Sequence, residues 1–474
     1  MCAVALAGWG LVAGVQAQQS ADLPPAPVAH AAPLRLADGM AVEQGTPGVL
    51  DLSLDEAIAL GLKHNLQLEL ARQNQRVVHG QVLTVANELL PSLTASATSG
   101  AEQIDLAALG FKPSLVEEFG QNPNAFPLIV KVQTTSAKMS LDQQLFNVPA
   151  YYLYRAAQKA DKVASMTELN QEGAVTIDVG SQYLRALADA SVIEYAESLE
   201  KADEVALRQA TELHDAGVGT RLDELRARVE LQTQQQAVIN AQNQFAKAKI
   251  QLDRLMGLPA DQELRLTDAS PYSEFAAMPL ADAKSLAYTR RKDLLSLEAQ
   301  MEVAERAQKA VKYERLPSLS FNGYYGVLGE TTGLYHGVFS ATGKLSVPIF
   351  EEGQLRGERE VADAQVMGLR EQIASLRISI ESQIRSAMLD VDSSAQLVKV
   401  ARSNVDLATQ VLDQATERFN AGVADNLPVV QAQADLANAH RRLVATLYQY
   451  NESKLMLARN TGVVESRYRE YLGH

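Results

Sequence analysis

The chain has 474 residues, of which 47% are apolar but only 5% aromatic, and a net charge of −14. The length exceeds one ordinary domain and argues for at least two units, while the acidity argues against a nucleic-acid partner. Ala, Leu and Val carry most of the apolar content, which suits long packed helices better than a compact globular core.

The chain opens with an apolar run, Ala3 to Val15, and a small-residue cleavage site after Ala17. Residues 1–17 are therefore expected to be a secretory signal, although no Lys or Arg precedes the run. The run is too short to cross a bilayer. The only cysteine is Cys2, so a cleaved chain holds no disulfide. Residues 18–50, with Pro24, Pro25, Pro27, Pro33 and Pro47, read as a linker.

From Asp51 the character changes. Ser53 followed by Asp55 and Glu56 is a helix N-terminus, and the spacing predicts a helix to about Leu90, stopped by Pro91. The period then switches from helical to alternating over Ser92–Ile104, with Leu93, Ala95 and Ala97 on one side. A second strand is expected over about Leu128–Leu141, after a loop near Leu106–Pro127. No proline lies between Pro149 and Pro259. One helix is predicted from about Ala150 to Ala216, roughly 100 Å long, and a returning helix over Thr220–Met256, roughly 55 Å long. Residues 261–281, with Pro271 and Pro279, read as a linker between the units.

The same order then repeats. A helix is expected over Ala283–Leu316, ended by Pro317. Alternation follows at Leu319, Phe321, Gly323, Tyr325 and Val327, and a partner strand over Val338–Val347. A proline-free stretch then runs from Pro348 to Pro428. At one offset of 205, Gly422 matches Gly217 and Gly462 matches Gly257. Leu436, Leu443, Tyr450 and Leu457, spaced by heptads, match Leu231, Val238, Phe245 and Leu252. So many matches at one offset mean an internal duplication, with one copy over 51–260 and the other over 282–474. Gly217 and Gly422 stand where helices reverse, a place that favours positive φ.

Catalytic chemistry finds no support. There is no nucleophile elbow, P-loop or dinucleotide motif, and the seven histidines form no metal-ligand spacing. No cofactor and no enzymatic activity are expected. The aromatics Phe321, Tyr324, Tyr325, Tyr335 and Phe339 cluster in the second hairpin. They are candidates for a membrane-interface belt, with ordinary strand packing as the plainer reading. Strands at one end of a long helical rod are odd for a globular protein. Four strands cannot close a barrel alone, but several chains together remove the open edges, and lipid demands such closure.

With these pieces in order, the chain resembles the TolC-like outer-membrane efflux protein family. The matching stretches are Leu52-Ser-Leu-Asp-Glu-Ala-Ile-Ala-Leu, both Leu-Pro-Ser-Leu strand entries, Leu345-Ser-Val-Pro-Ile-Phe and Arg418-Phe-Asn-Ala-Gly-Val. The resemblance implies a mainly α fold with a β-barrel portion. Duplicated helical hairpins would form a trimeric α-helical barrel, and four strands per chain would build a twelve-stranded transmembrane barrel. It further implies an outer-membrane conduit with a periplasmic tunnel, contacting outer-membrane lipid. Its cargo would be drugs, metals or other toxic compounds, delivered through a periplasmic adaptor by an inner-membrane transporter. Residues at the periplasmic entrance would be Gly217, Asp223, Phe419, Gly422, Asp425, Pro428 and Gln431. The family's two acidic tip positions fall on Pro428 and Gln431. Of its latch between the tips, the acid is kept as Asp223, while the Tyr and Arg positions are Phe419 and Ala424. Asp223 and Asp425 are the nearest replacement acids, and each also fits a plain helix cap. The competing reading is a poreless periplasmic adaptor or structural coiled coil. An adaptor, however, needs a further domain between its hairpin arms.

Overall fold

The structure, a computed structural model, describes residues 48–473 apart from 107, 109–128, 269–271, 277, 332, 422 and 424–426. The expected signal over 1–17 and nearly all of the linker 18–50 lie outside the described residues, as does most of the loop expected near Leu106–Pro127. In chain order the elements are β1 (Leu50–Leu52), α1 (Leu54–His64), α2 (Leu66–Asn87), β2 (Ser92–Asp105), β3 (Ile129–Phe146), α3 (Val148–Asp215), α4 (Arg221–Met256) and β4 (Leu264–Leu266). Then come α5 (Leu280–Arg290), α6 (Lys292–Lys312), β5 (Ser318–Glu330), β6 (Tyr335–Ser346), α7 (Glu352–Asn420), α8 (Leu427–Asn460) and α9 (Val464–Leu472).

The two long helices dominate. They hold 68 residues in α3 and 69 in α7, about 100 Å each. The start of α3 is set locally: the Asn147 side chain accepts from the Ala150 amide at 3.0 Å, and Pro149 occupies the first turn, where it has no amide to lose. Along its length α3 changes partner. Near the strands it faces α2, through Asp161–His79 at 3.7 Å and Glu168–Arg72 at 3.5 Å. Toward the tip it faces α4, where the Gln182 and Gln234 amides donate across the pair to the carbonyls of Ala248 (2.9 Å) and Ala196 (3.0 Å). All eight heptad residues of the returning helices are buried or half-buried.

Two expectations need correction. The helices expected over Leu54–Leu90 and Ala283–Leu316 are each broken, at Asn65 and at Arg291, where the backbone turns extended. Asn65 caps α2 by accepting from Gln67 and Leu68, while its amide donates to the Leu255 carbonyl at 3.0 Å. Arg291 stands at the equivalent place and grips Asp293, Gln383 and the Asn460 carbonyl. Each break receives the end of a returning helix. Gly257 (φ +72°) and Gly462 (φ +74°) end α4 and α8, and a Cβ on either would lie 2.6 Å from backbone of the break, at His64 or Arg291. Only glycine satisfies both the dihedral and the approach.

The stretch expected as a linker over 261–281 contains β4, which pairs in parallel with β1, Leu50 opposite Leu264. This pair roofs the main core midway along α3. There Tyr183 is fully buried, and its hydroxyl donates to the Leu52 carbonyl at 2.8 Å and to Asp268 at 2.9 Å. Around it pack Leu68, Ile177, Leu252, Met256 and Leu455. The terminal helix α9 closes the belt, with Tyr468 and Arg469 both on Asp55, at 2.6 and 2.9 Å.

A two-faced sheet, two tips and a seam

Both expected hairpins form, and β3 also pairs with β5, so the four long strands make one antiparallel sheet in the order β2-β3-β5-β6. The register gives each face its rows. On one face Ala95, Met139, Tyr325 and Phe339 stand opposite one another. Leu93, Leu141, Gly323 and Ala341 form the next row toward the helices. On the other face the rows read Thr94, Ser140, Tyr324, Ser340 and Ser96, Lys138, Gly326, Val338. One face is thus apolar and the other rich in hydroxyls, as strand alternation allows. The Lys138 ammonium lies 4.8 Å over the Tyr324 ring, and the Asn322 amide donates to Asp142 on the same polar face.

Tyr325 and Phe339 are the exposed centre of the apolar face, at 71% and 79% of their free surface. Of the five clustered aromatics, Phe321, Tyr325, Tyr335 and Phe339 share that face, while Tyr324 is on the polar one. Nor do the four form a single level. Phe321 pairs near the helical end and Tyr335 opposite Gly329 at the far end, about 27 Å along the strand. Ile349 and Phe350, just past β6, are almost wholly exposed at the helical end. Both fall outside the cluster of five aromatics, in the Leu345-Ser-Val-Pro-Ile-Phe stretch.

At the other end of the rods, the first tip is a left-handed reversal. Gly217 has φ +73°, and the amides of Val218 and Gly219 donate back to the Leu213 carbonyl at 3.0 and 2.8 Å. Thr220 caps α4 by accepting from the Asp223 amide at 3.2 Å, and its hydroxyl donates to the Asp223 carboxylate. Asp223 therefore works as part of the cap, with Arg226 at 3.8 Å. The second tip repeats the turn, Val423 donating to the Arg418 carbonyl at 3.0 Å. Phe419 is half-buried there, and Pro428 and Gln431 are exposed in the first turns of α8. Gly422, Ala424 and Asp425 lie outside the described residues. Val218 and Val423, equivalent in the two copies, are exposed apolar points at both tips.

Between tip and belt, α8 of the second hairpin lies against the first. The Tyr195 ring stacks on the His440 imidazole at 3.9 Å between centroids. Beside this stack is a cavity of about 450 Å³, lined by Tyr195, Glu230, Gln234, Asn240, Asn438 and Arg441. Burial raises the Glu230 carboxyl and lowers His440 from their ordinary ranges. Among the described residues no helix is long and apolar enough to cross a membrane, and no cluster of three or more His, Cys, Asp or Glu could hold a metal ion.

The family model described as "Outer membrane efflux protein" matches residues 57–258 and 284–463. The chain is 20% identical over 352 residues to the outer membrane protein TolC of Escherichia coli (strain K12), covering 71% of each chain. It is 25% identical over 341 residues to the alkaline protease secretion protein AprF of Pseudomonas aeruginosa, covering 69% of each. Among solved structures it is similar to the CmeC outer membrane channel of Campylobacter jejuni, with a TM-score of 0.74 at 16% identity over 87% of this chain and 86% of that one.

Proposed function

The chain belongs to the outer membrane efflux protein family, and we propose that its two-faced sheet and paired helical hairpins form one wall segment of a passive export conduit. The protein is an outer-membrane channel-tunnel rather than an enzyme. It works as a homotrimer with a periplasmic adaptor and an inner-membrane transporter, on drugs, metals or other toxic compounds. The observation that carries this reading is the sheet. Among the described residues β2 and β6 each pair on one side only, and three such sheets joined edge to edge make twelve strands with no free edge. The apolar face then meets lipid and the hydroxyl-rich face lines the lumen. Phe321, Ile349 and Phe350 suit one membrane interface and Tyr335 the other. The runner-up, a poreless adaptor, leaves the apolar face without a partner.

The spans 51–260 and 282–474 are read as two copies of one unit, each contributing a tip to the periplasmic entrance. Gly217, Asp223, Phe419, Gly422, Asp425, Pro428 and Gln431 belong to that entrance, with Val218 and Val423 as apolar contacts for the adaptor. Because Pro428 and Gln431 are neutral, this entrance binds divalent cations weakly; such ions need several carboxylate oxygens. Reconstituted in a planar bilayer, the protein should give stable ion-conducting steps, and their absence contradicts the conduit. Millimolar Mg2+ on the periplasmic side should change those steps little, and Gln431→Asp should increase the block by adding three carboxylates at one level. Strong block of the unmodified channel, abolished by Asp425→Asn, would show instead that Asp425 and Asp223 already form a complete acidic ring.

A further inference from the structure

Asp203, on α3, is only 2% exposed, and neither of its carboxylate oxygens has a hydrogen-bond partner. It occupies a core position of its helix, in line with buried Ala196, Leu199 and Ala210. The charged groups around it offer no counter-ion. From α4 the facing group is another acid, Glu230. The arginines of the first turns of α4 are engaged elsewhere: Arg221 and Arg228 on Glu224, which is equally buried but doubly paired, and Arg226 beside Asp223. On α3 itself the group within electrostatic reach is Tyr195, whose buried hydroxyl also lacks a partner. From α8 come His440, stacked on that ring, and Arg441, which acts on Tyr195 and donates to Asn438 at 2.6 Å.

We propose that Asp203 is a proton-operated latch on the seam between the two hairpins: neutral, it lets α3 and α4 pack and hold Tyr195 against His440; ionised, it loosens that contact. A buried, unpaired carboxylate is costly, and the cheapest relief is to admit water. The cavity of about 450 Å³ beside Tyr195 and Glu230 gives water a place to enter, and opening there separates α8 from the first hairpin. The meaning of such loosening for conduction rests on the channel reading; the loosening itself does not.

The sign follows from linkage. Burial, helped by the Glu230 charge, pushes the Asp203 carboxyl up to about 7 in the packed seam. Once wetted it returns to roughly 4. The packed state therefore holds the proton more tightly. The equilibrium constant for opening should rise about tenfold per pH unit between pH ~4 and ~7, then level off. The test is hydrogen exchange read by mass spectrometry on the intact detergent-extracted protein, with rates normalised for the intrinsic effect of pH. Peptides spanning 192–203 and 434–444 should lose protection about tenfold per unit between pH 5 and 7, while the belt around Tyr183 does not. Asp203→Asn should remove most of the slope, leaving only the smaller and opposed contributions of Glu230 and His440. Asp253→Asn should leave it unchanged, because Asp253 is also buried with an unpartnered oxygen but stands at the belt end of α4, beside Leu252 and Met256 rather than Glu230 and Tyr195. If Asp203→Asn fails to assemble, the wild-type profile still decides. A wild-type seam whose protection does not vary with pH overturns the latch, as does a slope that survives undiminished in Asp203→Asn or vanishes in Asp253→Asn. Conductance is not read in this experiment, so its outcome is separate from that of the conduit.

Discussion

Replacing both Tyr325 and Phe339 with arginine should strip assembled protein from the outer-membrane fraction. The two side chains stand opposite each other at the centre of the apolar face and are exposed in the single chain. An arginine near the bilayer midplane costs about 2–4 kcal/mol on a barrel wall, and a trimer would carry the pair three times over. The expected loss of membrane-assembled protein is more than about tenfold, since every 1.4 kcal/mol is a factor of ten. The neighbouring substitution Tyr324→Arg is the control. Its side chain is on the hydroxyl-rich face beside Lys138, so it should meet water in the lumen and leave assembly largely intact. If Tyr324→Arg abolishes assembly and the Tyr325/Phe339 pair is tolerated, the faces are assigned backwards.

The second large effect is expected at Lys454 in α8. Its side chain is fully buried, with its ammonium 4.5 Å from the Tyr450 ring and 3.4 Å from both oxygens of Ser273. These long contacts do not replace water, and burial lowers the ammonium to about 8. In the unfolded chain it titrates near 10.4. Between those values the folded state binds fewer protons than the unfolded state, so stability rises with pH through that window. Below pH 8 the full penalty of roughly 3 kcal/mol is present. Lys454→Met removes the charge and keeps most of the stem. Thermal unfolding in detergent should therefore show the variant more stable than wild type at pH 7, with the advantage shrinking by pH 10.5. A variant less stable at pH 7 would mean that the contacts to Ser273 and Tyr450 outweigh the burial cost.

Much of this architecture can be read from the chain because punctuation marks it. Pro91 and Pro317 stop helices, glycines stand at the reversals, and the shared offset pairs Gly257 with Gly462. The breaks at Asn65 and Arg291 escape such reading because their causes are distant. Asn65 is held by a carbonyl of Leu255, and Arg291 by Gln383 and Asn460. The β1–β4 pair escapes because three residues show no period. Tyr324 was grouped with its neighbours by proximity, although alternation alone sets it on the other face from Tyr325. Asp203 did leave a signal. An acid in register with Ala196, Leu199 and Ala210 interrupts a heptad core, but only the fold brings Tyr195 and His440 beside it. Asp223 fits a latch residue and a cap equally well by sequence, and in the folded chain it is bonded to the capping Thr220.

The copy number of the protein extracted from the outer membrane decides most directly whether the sheet closes into a barrel. Four strands per chain close only with partners, and twelve require three chains. Native mass measurement of the detergent-extracted protein from the outer-membrane fraction should give three copies of the chain. A stable monomer or dimer there, or a monomer recovered from the soluble fraction, would contradict it.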